Sequence, residues 1–429
     1  MAIVVAYHGA LSAGFVLDDY HLILEHRELG VGAIPRLFWR AYESGNGAFY
    51  RPLSTASFAV DRSLFGLWAP AYHAHNLLWH AAASLALLWL LGKMVSSRAA
   101  FAAALVFALH PVHTEAVTGV FGRSELMAAT FVIVGIGLWL DGRRALAALA
   151  YFAALASKES GVTLPLVALL VERMTRPELR WRAALERMWP LAVAFVVYAA
   201  LRAHALAGTG ETLPPPAEYF AGLSWGRATV TALDVLGRDL GLLVWPHPLC
   251  ADYSYPALPV GSLGGAARTL AILVAAVVVA RRSHVVALAL GWFAITILPV
   301  SNLVVHIGVL LAERLLYLPS VSVCLVAGAA LAAVAERARP AVAATATTAV
   351  ALTLATLTMA RNVDWQTPLA LWRDTVAKQP RSALAHGNLG LSCVVVGDRE
   401  CARRELEAAV ALEPQRGDFR QALEQLSSR

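Results

Sequence analysis

Charge is what this 429-residue chain has least of: 15% of it is Asp, Glu, Lys or Arg, against 58% hydrophobic residues. A soluble domain carries roughly a quarter charged residues, so an ordinary soluble enzyme is excluded. Cysteine is scarce too. The four cysteines fall at no metal-ligand spacing and no HExxH pair occurs, which leaves no zinc-finger or zincin pattern. No basic leader opens the first apolar run and no convincing small-residue cleavage site closes it, so residues 1–17 read as a short first span. The apolar runs also lack the matched halves of an inverted-repeat transporter.

What is present are repeated apolar runs of span length, which place the chain in a membrane. The remaining charge is uneven. Residues 361–429 hold 10 basic and 9 acidic residues, 19 of the chain's 64. That tail reads as a soluble module, and residues 1–360 as a membrane domain. The net charge of +6 comes mostly from short Arg-bearing loops and reports topology rather than nucleic-acid binding. Lys93 and Arg98, Asp141 to Arg144, and the five arginines between Arg173 and Arg187 mark cytoplasmic turns. Ser224 to Trp245 is span-length but carries Arg227, Asp234, Arg238 and Asp239. Treating it as an interfacial helix keeps Arg281, Arg282 and the Glu336 to Arg339 turn inside. This parse gives about 11 spans, the amino terminus inside and the carboxyl terminus outside.

All the unusual polar motifs then fall on the outer face. FVLDDY, Phe15 to Tyr20, ends an apolar run in two adjacent carboxylates, Asp18 and Asp19. Ionisable groups beside a bilayer core are costly and suggest function; the plain alternative is a solvated helix end. A long loop to Ala71 holds two amphipathic pieces, around Ile34 to Tyr42 and Leu53 to Phe65, with FYRPLS between them. YHAHNLLWH follows and puts His73, Asn76 and His80 near one helical face. HPVHTEAV with FGRSEL, SKES, DYSY and AERLLYLPS complete the set. In the tail, Leu389, Gly390, Gly397, Ala402, Leu406, Ala409 and Pro414 occupy the positions of one tetratricopeptide unit. Half a unit around Trp372 precedes it, and Asp418 to Leu426 supplies a capping helix. Cys393 and Cys401 could pair in an oxidising compartment; free buried thiols are the expectation.

These motifs, in order along nearly the whole chain, resemble the transmembrane and tetratricopeptide repeat-containing protein O-mannosyltransferases of the GT-C glycosyltransferase superfamily. The HPVHTEAV and GRSEL block is the most specific part. The resemblance implies an all-α polytopic membrane protein, a GT-C type domain with an amphipathic first external loop and a short tetratricopeptide module. Relatives often carry many repeats, whereas this tail has little more than one. The implied reaction moves a sugar, mannose, from a polyprenyl phosphate to a Ser or Thr hydroxyl of an exported protein on the non-cytoplasmic face. High Ala, Leu and Arg content suggests a bacterial inner membrane, with the site and tail periplasmic.

The chemistry suits the residues. A phosphate leaves without needing a proton, so one carboxylate suffices to deprotonate the acceptor, unlike the paired acids of glycosidases. Asp18 is favoured as base over Asp19, and attack on the anomeric carbon inverts it. Arg51, Arg123, Lys158 and Arg314 are candidates for the phosphate, although each could merely snorkel and Glu125 and Glu159 could be structural partners. His80, His113 and Glu115 are further donor-site candidates; Tyr253 and Tyr255 line either an acceptor groove or an aromatic belt. No metal and no cofactor beyond the lipid-linked sugar are expected. A non-catalytic scaffold built on the tail, or a lipid-linked sugar flippase, are the competing readings.

Overall fold

The computed structural model describes residues 1–26, 29–44, 47–207, 220, 222–254, 257–258 and 260–427. It is almost wholly helical, in keeping with the all-α expectation. Among the described residues the only β-structure is one small ribbon, Tyr42–Ser44 antiparallel to Gly47–Phe49. Also among them, five helices are long and apolar enough to cross a membrane: Ala69–Leu91, Val120–Leu140, Trp189–Leu206, Leu263–Ala280 and Pro340–Asp364. Shorter apolar helices, Ala2–Ser12, Arg144–Ser157 and His284–Val300, lie where further spans were read from the sequence. Leu164–Thr175 and Val321–Arg337 complete the bundle.

One span is broken. Helix Ser97–Leu109 continues as Pro111–Thr118 after a bend of 49°. Pro111 has no N–H to offer and its ring collides with the preceding turn. His110 goes extended there, and its ring accepts the Val112 N–H at 3.2 Å. Elsewhere the helices touch closely because small residues meet. A Cβ on Gly328 would lie 2.5 Å from Ala103 N and Ala99 O, so Val321–Arg337 and Ser97–Leu109 pack backbone to backbone, as membrane helices do.

The two ends of the bundle differ chemically. At one, Lys93 donates to Asp141 at 2.8 Å, Arg176 reaches the Leu140 carbonyl, and Arg187 lies 3.4 Å from Glu172. The loops predicted to share one side do gather together. At the other end stand the motif segments. Helix Trp225–Val244 is tied to this second end twice: Asp234 accepts the Ser262 N–H at 3.2 Å, and the Leu243 carbonyl meets His110 Nε2 at 3.0 Å.

The tail folds as helices Pro368–Lys378, Ala383–Val396, Arg399–Leu412 and Gly417–Ser427. Gly397, at φ 81°, ends the second in the left-handed conformation that glycine adopts without strain, and Asp398 caps the third. Gly387 leaves room for the Phe419 ring, which a Cβ would meet at 2.2 Å. The expectation of free thiols at Cys393 and Cys401 is overturned: they form a disulfide. Each lies one turn from the helix–helix junction, which brings their Cα atoms to 5.9 Å, inside the usual bridging range. Cys250 and Cys324 remain free and buried.

Candidate active site

The FVLDDY segment leaves the first helix through Leu17, whose φ of +50° is unusual for a residue with a branched side chain. A π-type turn, Tyr20–Leu24, follows. This kink sends the two carboxylates to different places. Asp19 is fully buried and accepts backbone N–H groups from Val16 (3.0 Å), Phe121 (2.6 Å) and Val120 (3.4 Å). It caps the turn that starts helix Val120–Leu140. Burial pushes its pKa up to about 7, although the three N–H donors pull the other way. Asp18 instead stands 43% exposed in its side chain and opens into a cleft.

That cleft is narrow, about 80 Å³, room for a few waters. Asp18, His21, Arg51, Ser54, Thr55 and Ser124 give it polar walls; Leu22, Phe49, Phe58 and Phe121 give it apolar ones. Helix Pro52–Phe65, the second amphipathic piece, brings Ser54 and Thr55 to the cleft. Arg51 stands just before its first turn, where Pro52 needs no N–H partner.

Charge around the cleft is mostly taken up in ion pairs, two of which share a partner. Arg314 donates its backbone N–H to Glu115 at 2.9 Å, forms an ion pair with the same carboxylate, and lies 4.0 Å from Asp18. Its guanidinium covers the Phe121 ring at 5.2 Å. Lys158 is paired with Glu125 and nearly buried. At the Arg51 wall two cations share one anion: Arg51 reaches Glu159 at 2.8 Å and Arg202 reaches it at 3.3 Å. Among the described residues that wall sets two cations against one anion, while on the Arg314 side one cation faces two carboxylates.

The other expected site residues lie elsewhere. Arg123 is fully buried and spends its guanidinium on Asn76 (2.8 Å), Asp61 (2.5 Å) and the Tyr72 carbonyl (3.0 Å). It ties helices together and has no face on the cleft. His80 and His113 sit inside the bundle. His80 meets Tyr317 OH at 2.7 Å and the Ala108 carbonyl at 3.1 Å; His113 meets Ser320 Oγ at 2.8 Å and the Phe107 carbonyl at 2.9 Å. Tyr253 is buried and donates to Glu313 at 2.8 Å. Tyr255 lies outside the described residues. Among the described residues no group of three or more His, Cys, Asp or Glu could hold a metal. Sequence reasoning passed over Arg202 and Asp61, which nothing in the sequence marks, and Glu313, which stands inside the quoted AERLLYLPS.

No family model matches the chain. Individual relatives do. It is 27% identical over 96% of its length to Protein O-mannosyl-transferase F38B6.6 of Caenorhabditis elegans, covering 61% of that protein. It is 25% identical to Protein O-mannosyl-transferase TMTC3 of Mus musculus, over 90% of this chain and 47% of that one. To Protein O-mannosyl-transferase TMTC4 of Homo sapiens it is 27% identical over 94% of this chain and 64% of that one. The chain thus spans 47% to 64% of these relatives' lengths. Its fold is similar to the crystal structure of ArnT from Cupriavidus metallidurans bound to undecaprenyl phosphate. The TM-score is 0.51 and the identity 16%, over 99% of this chain and 75% of that one.

Proposed function

We propose that this chain, a relative of the protein O-mannosyl-transferases with the fold of ArnT, is a membrane glycosyltransferase using a polyprenyl-phosphate sugar. The sugar is mannose and the acceptor a Ser or Thr hydroxyl of an exported protein, on the non-cytoplasmic side. The disulfide in the tail supports that side, since disulfides persist in oxidising compartments. The tail helices serve as a tetratricopeptide-like platform docked beside the site.

In the reaction, the acceptor oxygen attacks the anomeric carbon as its bond to the phosphate oxygen breaks. Asp18 takes the hydroxyl proton, and the polyprenyl phosphate leaves with the bonding electrons. The observation that carries this reading is the division of the acidic pair: Asp18 opens on the cleft while Asp19 is consumed by backbone N–H groups. The excess charge shared by Arg51 and Arg202 fits the departing phosphate. Arg314, balanced by Glu115, orients Asp18.

The test uses membranes carrying wild type, Asp18→Asn or Asp19→Asn, given labelled polyprenyl-phosphate mannose. Label should enter protein with the wild type and fall by about a hundredfold or more with Asp18→Asn at equal folded protein. Full transfer by Asp18→Asn would sink the assignment of the base. Failure of the wild type with every polyprenyl-linked sugar would sink the transferase itself.

A further inference from the structure

The tail meets the membrane domain through a chain of buried charges that ends one residue from the cleft. Arg361, in the last turn of Pro340–Asp364, is 4% exposed. It reaches Asp364 at 3.1 Å and Asp374, on the first tail helix, at 2.8 Å. On its other side it lies 3.7 Å from Glu313, an ion contact without a hydrogen bond. Glu313 is fully buried and takes the Tyr253 hydroxyl proton donation at 2.8 Å. It opens the tight turn Glu313–Leu316, whose second residue is Arg314. Lys378 locks the tail's end of this chain, bonding Asp374 at 2.7 Å and the Leu249 carbonyl at 2.8 Å.

A buried carboxylate without a cation is expensive, so Arg361, with the Tyr253 hydroxyl, stabilises Glu313 in its place. Arg361 in turn is held by Asp374. We propose that Arg361 is a positioning residue for the transfer site: braced by the tail's Asp374, it fixes Glu313 and so sets Arg314 against Asp18. The tail is then a structural part of the site and not a tethered appendage. The kinetic side of this proposal rests on the transferase reading above. Its structural side does not.

The test compares the full-length chain with Asp374→Asn, and with Arg361→Lys as a second variant that keeps charge but loses the planar fork. Hydrogen exchange is followed in residues 311–317, where Glu115 holds the Arg314 N–H. The expected result is exchange in that turn that is faster by more than any change shared with the rest of the membrane domain. Transfer should fall roughly tenfold in kcat with little change in donor KM, because displacement of a positioning group by about an ångström costs up to about a hundredfold. In an Arg314→Ala background the same substitution should add almost no further loss. Exchange changes confined to residues 365–380, or equal losses in both backgrounds, would overturn the proposal and leave Arg361 as interdomain glue. An inactive wild type would remove the transferase reading, and the exchange comparison would still decide this one.

Discussion

At the scale of the residue, two neighbouring carboxylates have opposite surroundings, Asp19 buried on backbone N–H groups and Asp18 open to the cleft. Asp19 should matter for stability, with a pH signature. Its folded pKa of about 7 lies above the ordinary carboxyl value. Its contribution is therefore complete at low pH and is lost as pH rises through about 7. Asp19→Asn, which cannot ionise, should show its largest stability deficit at or below about pH 4, a shrinking one up to about pH 7 and no further change above it, read from melting temperatures across that range. A deficit that grows with pH would contradict the assigned environment. Arg123 makes a different prediction. Arg123→Ala leaves the buried Asp61 with His75 at 2.9 Å as its remaining partner and should cost about 3–5 kcal/mol, seen as loss of folded protein in detergent. A well-folded Arg123→Ala with normal melting would mean the guanidinium is not the brace it looks like.

At the scale of the element, the bend at His110–Pro111 matters most, because it turns a span into two short helices whose far end carries the Val120–Gly122 turn to Asp19. Gly122 packs against the start of this path: a Cβ there would sit 2.2 Å from the Ala116 carbonyl. Backbone cannot yield as a side chain can. Gly122→Ala should therefore displace the Phe121 N–H from Asp19 and lower the melting temperature, by about 1–3 kcal/mol of stability for overpacking. A neutral Gly122→Ala would show that the turn has slack. The HPVHTE motif stood out in the sequence, but the bend at Pro111 appears only in the structure. The partners were not legible: His80 finds Tyr317 and Arg51 finds Glu159 across 237 and 108 residues. No local periodicity encodes contacts of that range.

At the scale of the whole molecule, the Arg-rich loops and the motif loops occupy opposite ends of the bundle. With the motif end outside, a membrane-impermeant maleimide added to sealed right-side-out membranes should label Arg381→Cys and spare Arg282→Cys. Both positions are exposed. The reverse pattern would invert the topology and move the site to the cytoplasm. Docking of the tail belongs to this scale as well. Ser382 donates to Asp252 at 2.5 Å and Lys378 to the Leu249 carbonyl at 2.8 Å, so the segment from Leu249 to Asp252 is a seat for the tail.

The sequence by itself determined the all-α class, the presence of span-length apolar helices, the grouping of several Arg-bearing loops and the small set of polar motifs, because hydropathy and arginine bias act locally along the chain. It brought Asp18, Arg51 and Arg314 forward as candidates. Only the tertiary structure decided which cations are already neutralised, that Arg123 and the histidines serve the interior, and that Cys393 and Cys401 join. Those outcomes depend on which side chains meet across the bundle and how much water remains beside each charge. Neither quantity exists until the helices have packed.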